Sequence, residues 1–257
     1  MKLNYRQYST VGHPLLILHG LFGSISNWNW HSNKLSEQYA VYALDLRNHG
    51  ASPHAEQMDY PVMAMDVIEF MDAHKIGSAH LLGHSMGGKV AMQLALEHPQ
   101  RVDKLVVADI APVNYASEHD KVFDGLQAID LQQITSRTQA DKMLAEHVDD
   151  EVVRQFLLTN LVRAQDGRFH WRINLPVLAK SYLQLRAAPA GDGIFDKPVL
   201  FIKGALSNYI TEDHQQEIAK KFPQAGLKII MQTGHWLHAE KPQTFYHLVS
   251  DFLSPSE

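Results

Sequence analysis

The 257-residue chain has no cysteine. Disulfides, a thiolate nucleophile and thiolate metal ligands are therefore excluded together. Long apolar runs are missing too. No window approaches the roughly 18 apolar residues of a membrane span, and the opening Met1-Lys2-Leu3-Asn4-Tyr5-Arg6 lacks the apolar core of a signal peptide. A strong charge of either sign is also lacking. With 23 basic and 28 acidic side chains the formal net charge is −5, too mildly acidic for a nucleic-acid footprint. These absences predict a soluble, cytoplasmic protein with neither nucleic acid nor membrane as a partner. They leave the oligomeric state open.

What is present is a core. At 45% hydrophobic and 20% charged residues, the chain suits one full-sized domain, or a core with a smaller inserted unit. Sixteen histidines raise the question of a metal. None falls in an H-E-x-x-H pattern, and the expectation is that they are scattered surface and structural residues, with no metal site.

Short apolar runs predict buried strands at Leu15–Leu18, Val41–Leu44, His80–Leu82, Leu105–Ala108, Val199–Ile202 and Lys228–Met231. Continuous rather than alternating apolar character suits a parallel sheet covered on both faces. Helical spacing at Tyr60–His74, Lys89–His98, His214–Phe222 and Thr244–Leu253 separates them. The alternation predicts a doubly wound α/β sheet. Between Asn114 and Gly193 the rhythm breaks. Helices are predicted there at Lys121–Ile129, Ala140–His147, Glu151–Leu161 and Asn174–Leu185, and no strand. Residues 1–113 and 194–257 then form the α/β core, and residues 114–193 a helical cap. The insertion leaves from the carboxyl end of a strand, the edge where open α/β sheets bind ligands.

Gly83-His84-Ser85-Met86-Gly87 matches G-x-S-x-G between a strand and a helix. In that context the sharp turn lifts Ser85 to the sheet edge, and the helix amides behind it favour developing negative charge. A serine hydroxyl needs a base. His235, in Thr233-Gly234-His235-Trp236 after the last strand, is preferred to His84 and His238. The histidine needs a carboxylate. The loop after Val199–Ile202 reads Lys203-Gly204-Ala205-Leu206-Ser207-Asn208-Tyr209 and has no acid before Glu212 and Asp213. The strand Leu105–Ala108 runs directly into Asp109, which is therefore chosen, with Asp213 as rival. Two oxyanion donors are expected, the amides of Met86 and of Leu21 in His19-Gly20-Leu21-Phe22-Gly23. The loop Asp45–Pro53 is read as structural, pinned by Asp45 and Arg47.

Together these motifs resemble the α/β-hydrolase superfamily across essentially the whole chain. In finer detail they resemble the YbfF-type bacterial esterases: His-Gly-Leu-Phe-Gly at 19–23, Asn48 in the Arg-Asn-His-Gly loop, Asp109-Ile110-Ala111-Pro112 after its strand, and Ser207 where many relatives have the acid. The resemblance implies a mostly parallel central sheet flanked by helices with an inserted helical cap. It implies that Asp109 completes the triad and that Ser207 lies close to the catalytic histidine, where Ser207 and Phe22 would contact substrate. It also implies cofactor-free hydrolysis of esters or acyl thioesters of short to medium chain, with Phe22 and the insertion shaping an apolar acyl pocket. Haloalkane dehalogenases and epoxide hydrolases of this fold carry an aspartate where this chain has Ser85. Acyl transfer, as in perhydrolases, and a ligand-binding receptor role remain alternatives.

Overall fold

The computed structural model describes residues 1–254. In chain order its strands are β1 (Tyr5–Gln7), β2 (His13–Leu18), β3 (Tyr39–Leu44), β4 (Ala79–His84), β5 (Val102–Ala108), β6 (Leu161–Arg163), β7 (Phe169–Trp171), β8 (Val199–Gly204) and β9 (Ala225–Ile230). Its helices are α1 (Asn29–Leu35), α2 (Tyr60–Ala73), α3 (Met86–Glu97), α4 (Asp120–Ala128), α5 (Arg137–Leu144), α6 (Glu151–Leu158), α7 (Leu175–Lys180), α8 (Tyr182–Leu185), α9 (Gln215–Lys221), α10 (Leu237–Glu240) and α11 (Pro242–Leu253).

Seven strands form one sheet in the order β1-β3-β2-β4-β5-β8-β9. Only β1 is antiparallel to its neighbour. Side chains alternate between the two faces of a strand, so a sheet covered on both sides needs apolar residues at every position. Leu16 and Leu18 of β2 face one cluster, with Val67 of α2 and Val90 and Leu94 of α3. Leu15 and Ile17 face the other, with Leu35 of α1 and Phe245 and Val249 of α11. Burying each such side chain contributes about 1.5–3 kcal/mol.

The helix ends follow from local chemistry. The Asp59 side chain caps α2, accepting from the Val62 amide at 2.9 Å. Helix α3 ends at Glu97, and its C-cap His98 leaves the helical conformation (φ −129°, ψ 56°) because Pro99 follows.

Three departures from the sequence expectations have physical causes. Strand β1 was not predicted: its Tyr5, Arg6 and Gln7 are all exposed, so no apolar pattern marks it. The segment 114–193, expected to hold no strand, carries α4–α8 and also the hairpin β6–β7, turning at Gly167 with φ +86°. Two three-residue strands are too short to show a period. Strand β9 begins at Ala225, before the apolar run that announced it, and is largely exposed. Among the described residues no helix is long and apolar enough to cross a membrane.

Candidate active site

Strands β4 and β5 pair in parallel and end level, with His84 opposite Ala108. The residues that follow, Ser85 and Asp109, both take positive φ, +52° and +51°. Each is held there by its own amide. Ser85 donates to the Ala108 carbonyl at 3.0 Å, and Asp109 donates to the Ile202 carbonyl at 2.8 Å. The turn at Ser85 (φ 52°, ψ −119°) leads at once into α3, so the serine sits on a strained elbow with the Met86 amide at the helix start. Gly83 and Gly87 make the elbow possible. A Cβ on Gly83 would lie 2.3 Å from the Gly87 carbonyl oxygen, and one on Gly87 would lie 2.4 Å from that of Leu18.

Asp109 is fully buried. Its Oδ1 accepts from the Gly204 amide at 3.0 Å. Its Oδ2 accepts from the Ser207 hydroxyl, and lies 2.8 Å from Nδ1 of His235. A carboxylate only accepts, so Nδ1 is the donor and Nε2 is the basic nitrogen of the neutral ring. Asp213, the alternative acid, is exposed in the turn Glu212–His214 that precedes α9.

The His235 ring packs between Tyr209 (centroids 4.1 Å apart) and His84 (4.7 Å). His84 donates from Nε2 to the His235 carbonyl at 2.9 Å. Burial holds His84 well below the usual histidine pKa and keeps it neutral. It thus anchors the loop that carries His235. Neither His84 nor Tyr209 was assigned this part from the sequence, because both lie far from His235 in the chain, one on β4 and one in the loop after β8.

The loop after β2 is held by two buried histidines. His19 donates from Nδ1 to the Gly20 carbonyl at 2.8 Å and accepts from the Leu46 amide at 3.0 Å through Nε2. His49 donates to the Arg47 carbonyl at 2.9 Å and accepts from the Phe22 amide at 3.2 Å. The Gly23 amide donates to Gly20. Among the described residues the Leu21 amide has no acceptor, and Leu21 lines the cavity with Ser85 and Met86. The loop Asp45–Pro53 is pinned by its own charged side chains. Arg47 makes a buried bidentate pair with Asp66 (2.6 and 2.8 Å), and Asp45 accepts from the Ile25 and Ala51 amides.

A cavity of about 50 Å3 adjoins Ser85. Its wall is mostly apolar, as expected, with Leu21, Met86, Ile110 and Leu185 among its residues, but charged and hydroxyl groups interrupt it. Lys89, Glu118 and Arg186 line it, with Tyr60, Tyr115, Tyr182 and Tyr209. Phe22 and Ser207, both expected to contact substrate, are not among its lining residues. Phe22 is buried against Phe123, ring centroids 5.3 Å apart, and Ser207 is spent on Asp109. Lys89 was not singled out, although a lysine just ahead of Val90-Ala91-Met92 was a visible anomaly. Its side chain is 1% exposed, and burial draws its pKa down to about 7. At the opposite end of the sheet His13, His80 and Asp103 converge, with ligand atoms within 4.8 Å of one another. No sequence spacing pointed to that cluster.

The profile of the α/β hydrolase fold family matches residues 13–242. Esterase YbfF of Escherichia coli is 38% identical, over 99% of this chain and all of that protein. The sn-1-specific diacylglycerol lipase ABHD11 of Xenopus laevis is 39% identical, over 98% of this chain and 84% of its own length. A solved marine microorganism esterase is 40% identical, covers 98% of this chain and 99% of its own, and superposes with a TM-score of 0.96. An E-2-(acetamidomethylene)succinate hydrolase shares the fold at 21% identity and a TM-score of 0.79. A strained serine elbow between a parallel strand and its helix, in a sheet of this order and with these relatives, places the chain in the α/β hydrolase family.

Proposed function

We propose that the protein hydrolyses carboxylic esters of short to medium acyl chain, and acyl thioesters of similar size, through a Ser85–His235–Asp109 triad. The observation that carries this is the 2.8 Å contact between His235 Nδ1 and buried Asp109, beside a serine held on a strained elbow. The esterase and lipase names of the relatives support the ester class. The small cavity supports the short end of the range.

In this reading His235 Nε2 takes the Ser85 proton as Oγ attacks the carbonyl carbon. The oxyanion receives hydrogen bonds from the amides of Leu21 and Met86. Collapse expels the alcohol or thiol, which takes the proton from His235 and leaves an acyl-serine. Water, deprotonated by His235, then attacks the acyl-serine and frees the acid and Ser85. Asp109 keeps the proton on Nδ1 and stabilises the imidazolium. Residues 1–113 and 194–257 act as the catalytic core, and residues 114–193 as a cap over it. No cofactor enters the sequence.

The test is an acyl-chain series, as aryl esters and as coenzyme A thioesters, on wild type and Ser85→Ala, with fluorophosphonate labelling alongside. Multiple turnover with labelling at Ser85 is expected. Labelling without turnover would overturn the hydrolase in favour of a ligand-binding role, and full activity in Ser85→Ala would overturn the nucleophile.

A further inference from the structure

Lys89 stands one helical turn beyond Ser85, and its amide donates to the Ser85 carbonyl at 3.1 Å. Its ammonium is buried among three backbone carbonyls. It donates to Val113 at 2.9 Å, Arg186 at 3.1 Å and Ala187 at 2.5 Å. It also lies 4.6 Å from the centre of the Tyr115 ring. Val113 is the residue before the 114–193 segment leaves the core. Arg186 and Ala187 lie on its return. The two connections are also joined directly: the Tyr115 amide donates to the Arg186 carbonyl at 2.9 Å, the Arg186 guanidinium to the Tyr115 carbonyl at 3.3 Å, and the Ala188 amide to the Asn114 side chain at 2.8 Å.

An ammonium has three N–H donors, and here three carbonyl oxygens accept them. Those carbonyls all turn their negative ends to one buried point, where N–H donors must meet them. The group that supplies those donors belongs to the same helix as the serine elbow. We infer that Lys89 is a positioning residue, one that ties both connections of the 114–193 segment to the nucleophile helix and so sets the depth of the acyl cavity. The inference rests on the ester-hydrolase reading of Ser85. Residues on either side of the clamp, Tyr115 and Arg186, line the cavity, as does Lys89 itself. When the two connections part, that wall withdraws and the cavity lengthens. Lys89 is itself part of that wall, and its side chain acts on a bound acyl chain by holding Tyr115 and Arg186 in place.

Lys89→Met keeps the length of the side chain and removes every donor. Lys89→Gln keeps two donors and no charge. Acetyl, butyryl and octanoyl aryl esters would be compared on both, with the rate of labelling by a small fluorophosphonate as the measure of Ser85 itself. The methionine variant is expected to raise KM for the acetyl ester about tenfold, since a misplaced wall no longer orients a short chain. The octanoyl-to-acetyl ratio of kcat/KM should rise by about the same factor, and the labelling rate should fall by less than kcat/KM for the acetyl ester. The glutamine variant should move the ratio in the same direction by less. A purely structural lysine would lower the yield or Tm of folded protein and leave the chain-length ratio of the folded fraction unchanged, and that result overturns the inference. Failure of both variants to fold overturns it as well, because a local clamp is not a condition for folding. Wild type that does not label at all would instead sink the ester-hydrolase reading on which this one stands.

Discussion

Asp109 and His235 are 126 positions apart in the chain and their side chains meet at 2.8 Å. The carboxylate that receives the imidazole is fully buried, and it is also hydrogen-bonded by Ser207 and by the Gly204 amide. Three groups from the far half of the chain thus converge on one residue at the end of β5. The loop after β8 supplies a hydroxyl, that of Ser207, to the buried carboxylate.

Asp109→Asn is expected to lower kcat of ester hydrolysis by about 10⁴-fold, because the amide reverses the donor role at Nδ1 and selects the wrong tautomer. Asp213→Asn should leave kcat within about twofold, since that residue is exposed on a turn. Steady-state kinetics on the two variants decide the matter. A larger loss in Asp213→Asn than in Asp109→Asn would refute the triad.

Ser207→Ala removes one donor from Oδ2 of Asp109 without touching the cavity. Loss of a hydrogen bond to a charged group corresponds to about 1.5–3 kcal/mol. A kcat about 10- to 100-fold below wild type with unchanged KM is expected. An increase in KM at constant kcat would instead place Ser207 against the substrate.

Asp66→Ala leaves the buried Arg47 guanidinium without its bidentate partner. Breaking a buried pair in this way costs about 3–5 kcal/mol, so Tm should fall by about 10 °C for a domain of this size. Thermal unfolding measures it. Activity at low temperature should persist, because the pair holds the loop 45–53 and does not face the cavity. A Tm within a degree or two of wild type would show that water reaches Arg47.

The buried histidines predict acid sensitivity. Burial lowers His31 and His80 to about 4, and His49 and His238 to about 3. In the unfolded chain these groups take up protons near pH 6.5. Above that pH both states are neutral and the full stability is present. Below it the unfolded state binds protons that the native state refuses. Stability therefore falls as pH drops from about 6.5 toward 4, by up to about 1.4 kcal/mol per pH unit for each histidine. Urea midpoints measured between pH 7.5 and 5 should decline steeply, and His80→Gln should make the decline shallower. A flat profile would mean that these imidazoles ionise in place.

Much of this site was legible in the chain because it is local. The elbow at Ser85 needs small residues close in sequence, and Gly83 and Gly87 are there to be read. The strands β2, β4, β5 and β8 show as continuous apolar runs because the sheet is covered on both faces. The end of an apolar run marks the end of a strand, so Asp109 and His235 could be placed at the sheet edge before any coordinates were known. The sequence favoured Asp109 over Asp213 from the end of its strand, but the contact with His235 has a tertiary cause. It depends on β5 lying beside β8, with Ala108 level with Ile202, and pairing between strands separated by a long insertion leaves no mark in either strand. The charged groups in the cavity wall were hidden for the same reason. Lys89 reads as one charged residue at the start of a buried helix. Only the return of the chain at Arg186 and Ala187 to the level of Val113 turns it into a clamp, because a buried ammonium is stable where its acceptors are, and those acceptors are gathered by tertiary contact.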